Sequence, residues 1–314
     1  MTQARRWVAV DFGGPEVLRC VDVDVPGPRS GEATIAVRAC GMNPADAKHM
    51  APGQDRGLLP LAIGYEVAGV VTAIGPDTEL ASGVGAVGDE VVAQVSGGYT
   101  TAITVPAADV YAKPPTLTFP EAANLLLVGT TAADMLHACG AADGQTVLLH
   151  GAAGAVGVSV LQQARKLGAR VVGTASPANF DLVRSFGGTP VEYGPGLLER
   201  VREAAPEGIA SALDTVGSEE AGDVSLALVP DRKRVVTIAA APRAKADGYM
   251  FVGASNPESG PFRARARSRI LELARDGELV VPIARTFPFE EAPAAVAMLT
   301  SPHPPGKLAL VNEL

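Results

Sequence analysis

Three glycines in the stretch LLHGAAGAVG have the types and spacing that a phosphate-binding turn needs. Gly151, Gly154 and Gly157 stand three residues apart, with only Ala and Val between them. They follow the apolar run TVLL and precede AVGVSVLQQARKLGA, which has the pattern of a helix. In such a strand–turn–helix unit, glycines permit a sharp turn, close approach of a pyrophosphate and tight helix packing. The helix N-terminus would then offer free N–H groups to the phosphates.

The spacing GxxGxxG differs from the GxGxxG dinucleotide motif, so a tight turn of small residues is the alternative. A second apolar strand, RVVGTAS, follows the helix pattern, and this context favours a dinucleotide site. The predicted phosphate-binding residues are Gly151, Ala152, Ala153, Gly154, Ala155, Val156 and Gly157.

The end of that second strand bears on the choice between NAD and NADP. An NAD site has an Asp or Glu there, which binds the ribose hydroxyls. The segment GTASPAN, residues 173–179, contains no acid, and Ser176 and Asn179 can donate hydrogen bonds to a 2′-phosphate. The sequence therefore favours NADPH as the cofactor.

Two kinds of lobe are predicted to position these motifs. Roughly the first 115 residues consist of short strands rich in Val, Ile and Thr and separated by Gly or Pro, which is typical of a β-rich lobe. From Thr146 onward, continuous apolar strands alternate with helices, which predicts a parallel sheet covered on both faces. The last segment, ending in KLALVNEL, has the same kind of sequence pattern as the first lobe.

Composition narrows the class of function. The chain has 314 residues, of which 47% are hydrophobic and 19% charged, and its net charge is −8. This globular composition gives no reason to expect nucleic acid or a membrane as a partner. Cys20, Cys40 and Cys139 are too far apart for a disulfide framework, and the N-terminus MTQARRWVAVDFGG lacks an apolar leader. A cytoplasmic location is therefore expected.

Further motifs along nearly the whole chain resemble one known family. They are HGAAGAVG, ARKLGARVVGTAS, VRSFGG, ACGMNPADAKHM, GYEVAGVVTAIG, VGDEV, FPEAA, GTTAAD, LDTVG, RTFPFEEAPAA and GKLALV. Together they resemble the zinc-free quinone oxidoreductase and enone reductase branch of the medium-chain dehydrogenase/reductase superfamily. The resemblance implies an α/β fold with a GroES-like β-rich lobe and a Rossmann doubly wound parallel sheet. It places the GroES-like catalytic lobe in residues 1–118, the NADPH-binding domain in 119–255 and the return to the catalytic lobe in 256–314.

The resemblance also predicts that no metal is bound. By comparison with the zinc-dependent alcohol dehydrogenases of the superfamily, the catalytic zinc ligands correspond to Asn43, Tyr65 and about Leu127, none of which is a zinc-site residue. The cysteines of a structural zinc are missing from residues 90–110, and the four histidines are scattered. Without a Lewis acid, the reaction that remains suited is hydride delivery from NADPH to a quinone or an α,β-unsaturated carbonyl.

Three residues are candidates for acting on the substrate. Lys48 matches a lysine of similar enone reductases, and it could stabilise the enolate oxygen or hold the nicotinamide ribose, or else be a surface lysine. Asn43 could fix the carboxamide, the ribose or the substrate, or be a turn residue before Pro44. Tyr65 could donate to the substrate or be structural. The family comparison also places cofactor contacts at Thr131, Tyr193, Val216, Ala239, Phe251 and Val252, where Rossmann core is the alternative.

Three functions stay open on the sequence alone. The leading one is an NADPH-dependent, zinc-independent reductase of small-molecule quinones or enones. The others are an enoyl-thioester reductase of a polyketide or fatty-acyl pathway, and a non-catalytic NADPH-binding regulatory protein. The strand in KRVVTIAAAP, followed by GYMFVGAS, is expected at a sheet edge. Because similar reductases pair such strands across a two-fold axis, a homodimer is expected.

Overall fold

The computed structural model describes residues 2–53, 55–253 and 256–312. The chain forms two compact units. The first unit contains residues 1–127 and 274–314, and the second unit contains residues 128–273. The α/β class predicted from the sequence is confirmed, with mainly antiparallel sheets in the first unit and a parallel sheet in the second.

The strands, in chain order, are β1 (Thr2–Ala9), β2 (Leu18–Val25), β3 (Glu32–Gly41), β4 (Leu61–Ala62), β5 (Glu66–Ile74), β6 (Glu90–Gln94), β7 (Ala102–Pro106), β8 (Val110–Ala112), β9 (Thr146–His150), β10 (Arg170–Ala175), β11 (Thr189–Glu192), β12 (Ser211–Asp214), β13 (Val235–Thr237), β14 (Met250–Phe251), β15 (Ile283–Pro288) and β16 (Lys307–Val311). The helices, in the same order, are α1 (Pro44–His49), α2 (Phe119–Ala122), α3 (Leu125–Ala138), α4 (Ala155–Lys166), α5 (Phe180–Ser185), α6 (Leu197–Ala204), α7 (Glu219–Leu228), α8 (Ala241–Asp247), α9 (Ser259–Arg275) and α10 (Ala292–Leu299).

Strand β3 is the centre of the first unit. It pairs antiparallel with β5, β7 and β16, so the end of the chain closes against the strand that leads into α1. The alternating side chains of Ile35 and Val37 are fully buried in the core. A smaller sheet of order β2-β1-β4 completes the unit, where the Trp7 indole donates to the carbonyl of Phe289 at 2.9 Å. Strand β3 therefore fixes where α1 begins.

The second unit is a six-stranded parallel sheet of order β11-β10-β9-β12-β13-β14. The order reverses between β9 and β12, and ligands of doubly wound sheets bind at the carboxyl ends of the strands near such a point. Leu148 and Leu149 of β9 are both fully buried, as expected for a strand covered on both faces. None of the helices in the described ranges combines the length and the apolar character that crossing a membrane requires.

The structure corrects the prediction about the edge of this sheet. The strand in KRVVTIAAAP was expected at the edge, but Val235–Thr237 lies between β12 and β14. The edge strand on this side of the sheet is Met250–Phe251, in the following segment GYMFVGAS, and it pairs in parallel through Val236↔Met250 and Thr237↔Phe251. The reason is that the next strand of the chain adds to the sheet and covers β13.

The two units divide after Leu127 and after Leu273. The domain boundaries predicted after residues 118 and 255 stay predictions. Residues just after 118 are held in the first unit, because Asn124 donates to the carbonyl of Leu308 and accepts from the N–H of Met42.

Candidate functional site

The glycine-rich turn between β9 and α4 has the shape of a phosphate-binding turn. Gly151 has φ +80°, the left-handed conformation of a sharp turn, and a Cβ there would lie 2.4 Å from Oγ1 of Thr215. A Cβ on Gly157 would lie 2.2 Å from the carbonyl oxygen of Gly151, so only glycine allows α4 to start this close to the turn. Gly154 caps α4, and a Cβ there would meet only that carbonyl, at 3.3 Å. The space over Gly154 is therefore open to a ligand.

The donors at this turn suit a pyrophosphate. The first-turn N–H groups of a helix have no intrahelical acceptor, and α4 presents them beside the open face of Gly154. The helix dipole adds partial positive charge at the same end. The turn therefore fits the phosphates of a dinucleotide.

The other predicted cofactor residues follow the ends of the neighbouring parallel strands. Since the strands are parallel, their carboxyl ends share one edge of the sheet. Ser176 follows β10, Tyr193 follows β11, Val216 follows β12, Ala239 follows β13, Phe251 ends β14 and Val252 follows it. Thr131 instead lies inside α3, where its buried hydroxyl has no hydrogen-bond partner among the described residues. As cofactor contacts, all of these residues stay predictions.

Ser176 and Asn179 lie together after β10. Nδ2 of Asn179 donates to Oγ of Ser176 at 3.1 Å, and both side chains are partly exposed. The structure adds a cation to this corner, which the sequence analysis missed. Arg200 donates to the carbonyls of Glu192 and Gly194, and Glu192 lies in register with Ala175, just before Ser176. The guanidinium is therefore fixed at the end of β11, the strand next to β10, and Glu192 brings an acid to the same end of that strand.

Asn43 is a buried anchor in the first unit. Asn43 is only 1% exposed, and it immediately precedes α1 as its N-cap residue. Its Nδ2 donates to Glu66 at 3.0 Å, and its Oδ1 accepts from Nζ of Lys307, which also donates to the carbonyl of Met42. The other oxygen of Glu66 accepts from the N–H of Leu127 at 2.8 Å. Both ends of the amide are occupied inside the unit, which is the arrangement of a positioning group. A direct catalytic role for Asn43 stays a prediction.

Asp46 of α1 is fully buried beside this anchor. One of its oxygens accepts from the N–H of Asn43 at 2.8 Å and from the hydroxyl of Tyr99 at 2.8 Å. The other oxygen has no hydrogen-bond partner among the residues the structure describes. Burial raises the pKa of Asp46 to about 7, against the lowering effects of these hydrogen bonds and of Lys307. Asp46 is therefore poised to exchange a proton near neutral pH.

Glu66, Tyr99 and Lys307 were not predicted from the sequence as residues of this site. A signal was available, because Glu66 stands in GYEVAGVV and Lys307 in GKLALV, each a lone charge in an apolar strand. Charged residues are almost never fully buried unless they are paired. Their partners, however, are far away along the chain.

Lys48 and Tyr65 differ in their exposure to solvent. Lys48, in α1, is exposed. Tyr65 is half-buried, and its hydroxyl is hydrogen-bonded to the ring of His49. Tyr65 and His49 line a cavity of about 280 Å³. Within the described ranges, no group of three or more His, Cys, Asp or Glu side chains is arranged to hold a metal ion.

The pKa of Asp46 predicts a stability that depends on pH. Because the folded pKa is raised from the ordinary 3.8 to about 7, the folded state retains a proton that the unfolded chain releases. This contribution to stability is fully present below about pH 4 and is lost as the pH rises to about 7, with a slope of up to about 1.4 kcal/mol per pH unit. We expect the free energy of unfolding of Asp46→Asn to fall less between pH 5 and 7 than that of the wild type. Equal slopes in urea titrations would contradict this assignment.

Comparison with known proteins agrees with this geometry. The family described as alcohol dehydrogenase GroES-like domain matches residues 29–115, and the family described as zinc-binding dehydrogenase matches residues 189–310. A protein of the spectinabilin polyketide synthase system, NorB of Streptomyces orinoci, is 33% identical over an alignment of 325 residues. The alignment covers 98% of this chain and 14% of that protein. The quinone oxidoreductase of Rattus norvegicus is 40% identical over 172 residues, which cover 52% of this chain and 50% of that enzyme.

A solved structure extends the likeness to the whole chain. The native structure of a mycobacterial protein complexed with NADPH has a TM-score of 0.83 and 29% identity, and it covers 98% of this chain and 99% of that one. The chain spans half or less of the length of the Streptomyces and Rattus relatives. The predicted resemblance is confirmed: the chain belongs to the quinone oxidoreductase branch of the medium-chain dehydrogenase/reductase superfamily.

Proposed function

We propose that this oxidoreductase transfers a hydride from NADPH to a quinone or an α,β-unsaturated carbonyl without a metal ion. The observation that carries the proposal is which residues stand at the positions that match the zinc ligands of the alcohol dehydrogenases, and what those residues contact. Asn43 is bound at both ends by Glu66 and Lys307, and Tyr65 presents a hydroxyl to a cavity. An amide and a phenol of this kind suit hydrogen bonding better than zinc binding, which needs Cys, His or carboxylate ligands.

Each part of the chain has a separate task in this reaction. NADPH, when bound, supplies the hydride. The turn at Gly151–Gly157 holds the pyrophosphate against the N-terminus of α4. Negative charge develops on the carbonyl oxygen as the β-carbon is reduced, and the ammonium of Lys48 stabilises that charge. The anchor formed by Asn43, Glu66 and Lys307 holds the start of α1, and thereby Lys48, in place.

Steady-state oxidation of NADPH with a panel of quinones, enones and enoyl thioesters tests the proposal. Turnover of a quinone or enone is expected, and it should survive a strong chelator, with well under one zinc per chain by elemental analysis. Tight NADPH binding without turnover of any compound would favour the regulatory alternative. Loss of activity with the chelator would contradict the zinc-independent reaction.

The cofactor preference gives a second prediction. We expect NADPH to bind at least about tenfold more tightly than NADH, because the loop after β10 contains no acid and offers the side chains of Ser176 and Asn179. Ser176→Asp should narrow or reverse this preference, since its carboxylate would face the 2′-phosphate. Fluorescence titration measures both affinities, and Ser185→Asp on the exposed end of α5 is the matched control. A wild type that binds the two cofactors equally would rule out the preference.

An enoyl-thioester reductase is the second candidate. It is favoured by the match to the polyketide synthase system protein over 98% of this chain. A kcat/KM for an enoyl thioester far above that for simple quinones and enones would select it. A cytoplasmic location and a homodimer stay predictions under either function.

A further inference from the structure

We propose that Tyr65 and His49 form a proton-delivery pair, in which Tyr65 donates to the substrate and His49 restores its proton. The inference rests on the proposed function, because reduction of a conjugated double bond needs a proton after the hydride. It assigns a role to His49, which the sequence analysis treated as one of four scattered histidines.

The contact between the two side chains is the first support. His49 ends α1, and Tyr65 immediately precedes β5. Nε2 of His49 lies 2.9 Å from the hydroxyl oxygen of Tyr65, and Nδ1 is also within hydrogen-bond reach. The rings meet edge to face, with centroids 5.2 Å apart and an interplanar angle of 73°. A general acid must lie within such reach of the group that reprotonates it.

The cavity beside the pair is the second support. Its polar side includes Asp46, His49 and Tyr65, and its apolar side includes Leu58, Leu61 and Ile63. Asp46 is a lining residue of this cavity and is buried, and one of its oxygens has no hydrogen-bond partner among the described residues. Small-molecule pockets combine apolar walls with a few polar groups of this kind. The cavity suits a small conjugated carbonyl compound.

Exposure distinguishes the two roles. Tyr65 is half-buried, and burial together with the charge of Asp46 raises the pKa of Tyr65 to about 12. Its hydroxyl therefore stays protonated at neutral pH, as a donor must. His49 is exposed, so its ring is in contact with water. Tyr65 is the group that faces the substrate, and His49 acts through it.

The step balances without any further reactant. The β-carbon forms a C–H bond with the hydride as the nicotinamide C–H bond breaks, and the electron pair of the C=C bond moves into an enolate. The O–H bond of Tyr65 then breaks and the α-carbon takes the proton, which restores the carbonyl. The phenolate regains a proton from His49, and water returns one to the imidazole.

The test is NADPH-dependent reduction of 2-cyclohexenone by the full chain. We expect Tyr65→Phe to lower kcat by about 10²–10⁴-fold, as for other general acids, and His49→Ala to lower it by about 10²-fold. Millimolar imidazole should restore activity to His49→Ala and leave Tyr65→Phe unchanged. His49→Phe retains a ring against Tyr65 without its nitrogens, and it should be as slow as His49→Ala. His303→Ala, which removes a histidine at another site of the first unit, should match the wild type.

Each contrary outcome has a distinct meaning. Wild-type kcat in His49→Phe would show that the ring only packs against Tyr65, and full activity of Tyr65→Phe would remove the donor itself. Either result overturns the pair while the proposed function stands. If the wild type reduces quinones but no enone, the pair does not supply a proton to carbon, and the proposal is overturned. A wild type that reduces none of these compounds overturns the pair and the proposed function together.

Discussion

Lys307→Met is expected to lower the free energy of unfolding by about 3–5 kcal/mol. The side chain of Lys307 is only 4% exposed, and its ammonium donates to the carbonyl of Met42 and to Asn43. Burial lowers the pKa of Lys307, whereas the charges of Glu66 and Asp46 oppose that shift. Methionine would fill much of the volume but leave two buried carboxyl groups without their cation. Removing one charge from a buried charged network is strongly destabilising, because the opposite charges are left uncompensated.

Urea unfolding followed by tryptophan fluorescence is a suitable measurement, because Trp7 is the single tryptophan and is buried in the first unit. Lys233→Met, an exposed lysine of the second unit, is the matched control and should change stability by less than about 0.5 kcal/mol. Adding Glu66→Gln to Lys307→Met should recover part of the loss, since it removes one of the orphaned charges. A loss below about 1 kcal/mol in the single variant would show that Lys307 does not hold the anchor together.

The sequence predicted the second unit more completely than the first, and the reason is the range of the contacts. The turn at Gly151, the helix α4 and the loop at Ser176 are set by neighbouring residues, so their types and spacing are visible locally. Parallel strands that are covered on both faces are also recognisable as continuous apolar runs. The prediction that β13 is an edge strand was wrong, because its place inside the sheet depends on a later strand, β14.

The anchor of the first unit could not be predicted in the same way. Lys307 contacts Met42 and Asn43 across almost the whole length of the chain, and Asp46 meets Tyr99 across another long loop. A lone lysine or acid in an apolar strand indicates that a partner exists, but pairing in an antiparallel sheet decides which partner it is. The contact of His49 with Tyr65 was missed for the same reason, since only the fold brings α1 beside the start of β5.

Lys48→Ala is expected to lower kcat by about 10²–10³-fold, with little change in NADPH affinity. Loss of one donor to a developing oxyanion has an effect of this size in other enzymes. Lys48 and the buried Asp46 are two residues apart on α1, so they do not face each other, and Lys48 is exposed. The ammonium is therefore free to contact a ligand. Steady-state kinetics with an enone, together with fluorescence titration of NADPH, separates the two parameters.

The pattern of the two parameters decides the role of Lys48. If Lys48 only holds the nicotinamide ribose, NADPH affinity should fall while kcat at saturation changes little. If Lys48 is a solvated lysine, kcat and NADPH affinity should both stay within about twofold of the wild type. The same result is expected for the control Lys245→Ala, which changes an exposed lysine in α8. Tyr65→Phe beside Lys48→Ala separates charge stabilisation from proton delivery, because only the tyrosine variant acts through His49. A large loss of kcat in Tyr65→Phe with no loss in Lys48→Ala would leave the phenol of Tyr65 as the single donor. It would rule out the proposed role of Lys48 in stabilising the oxyanion.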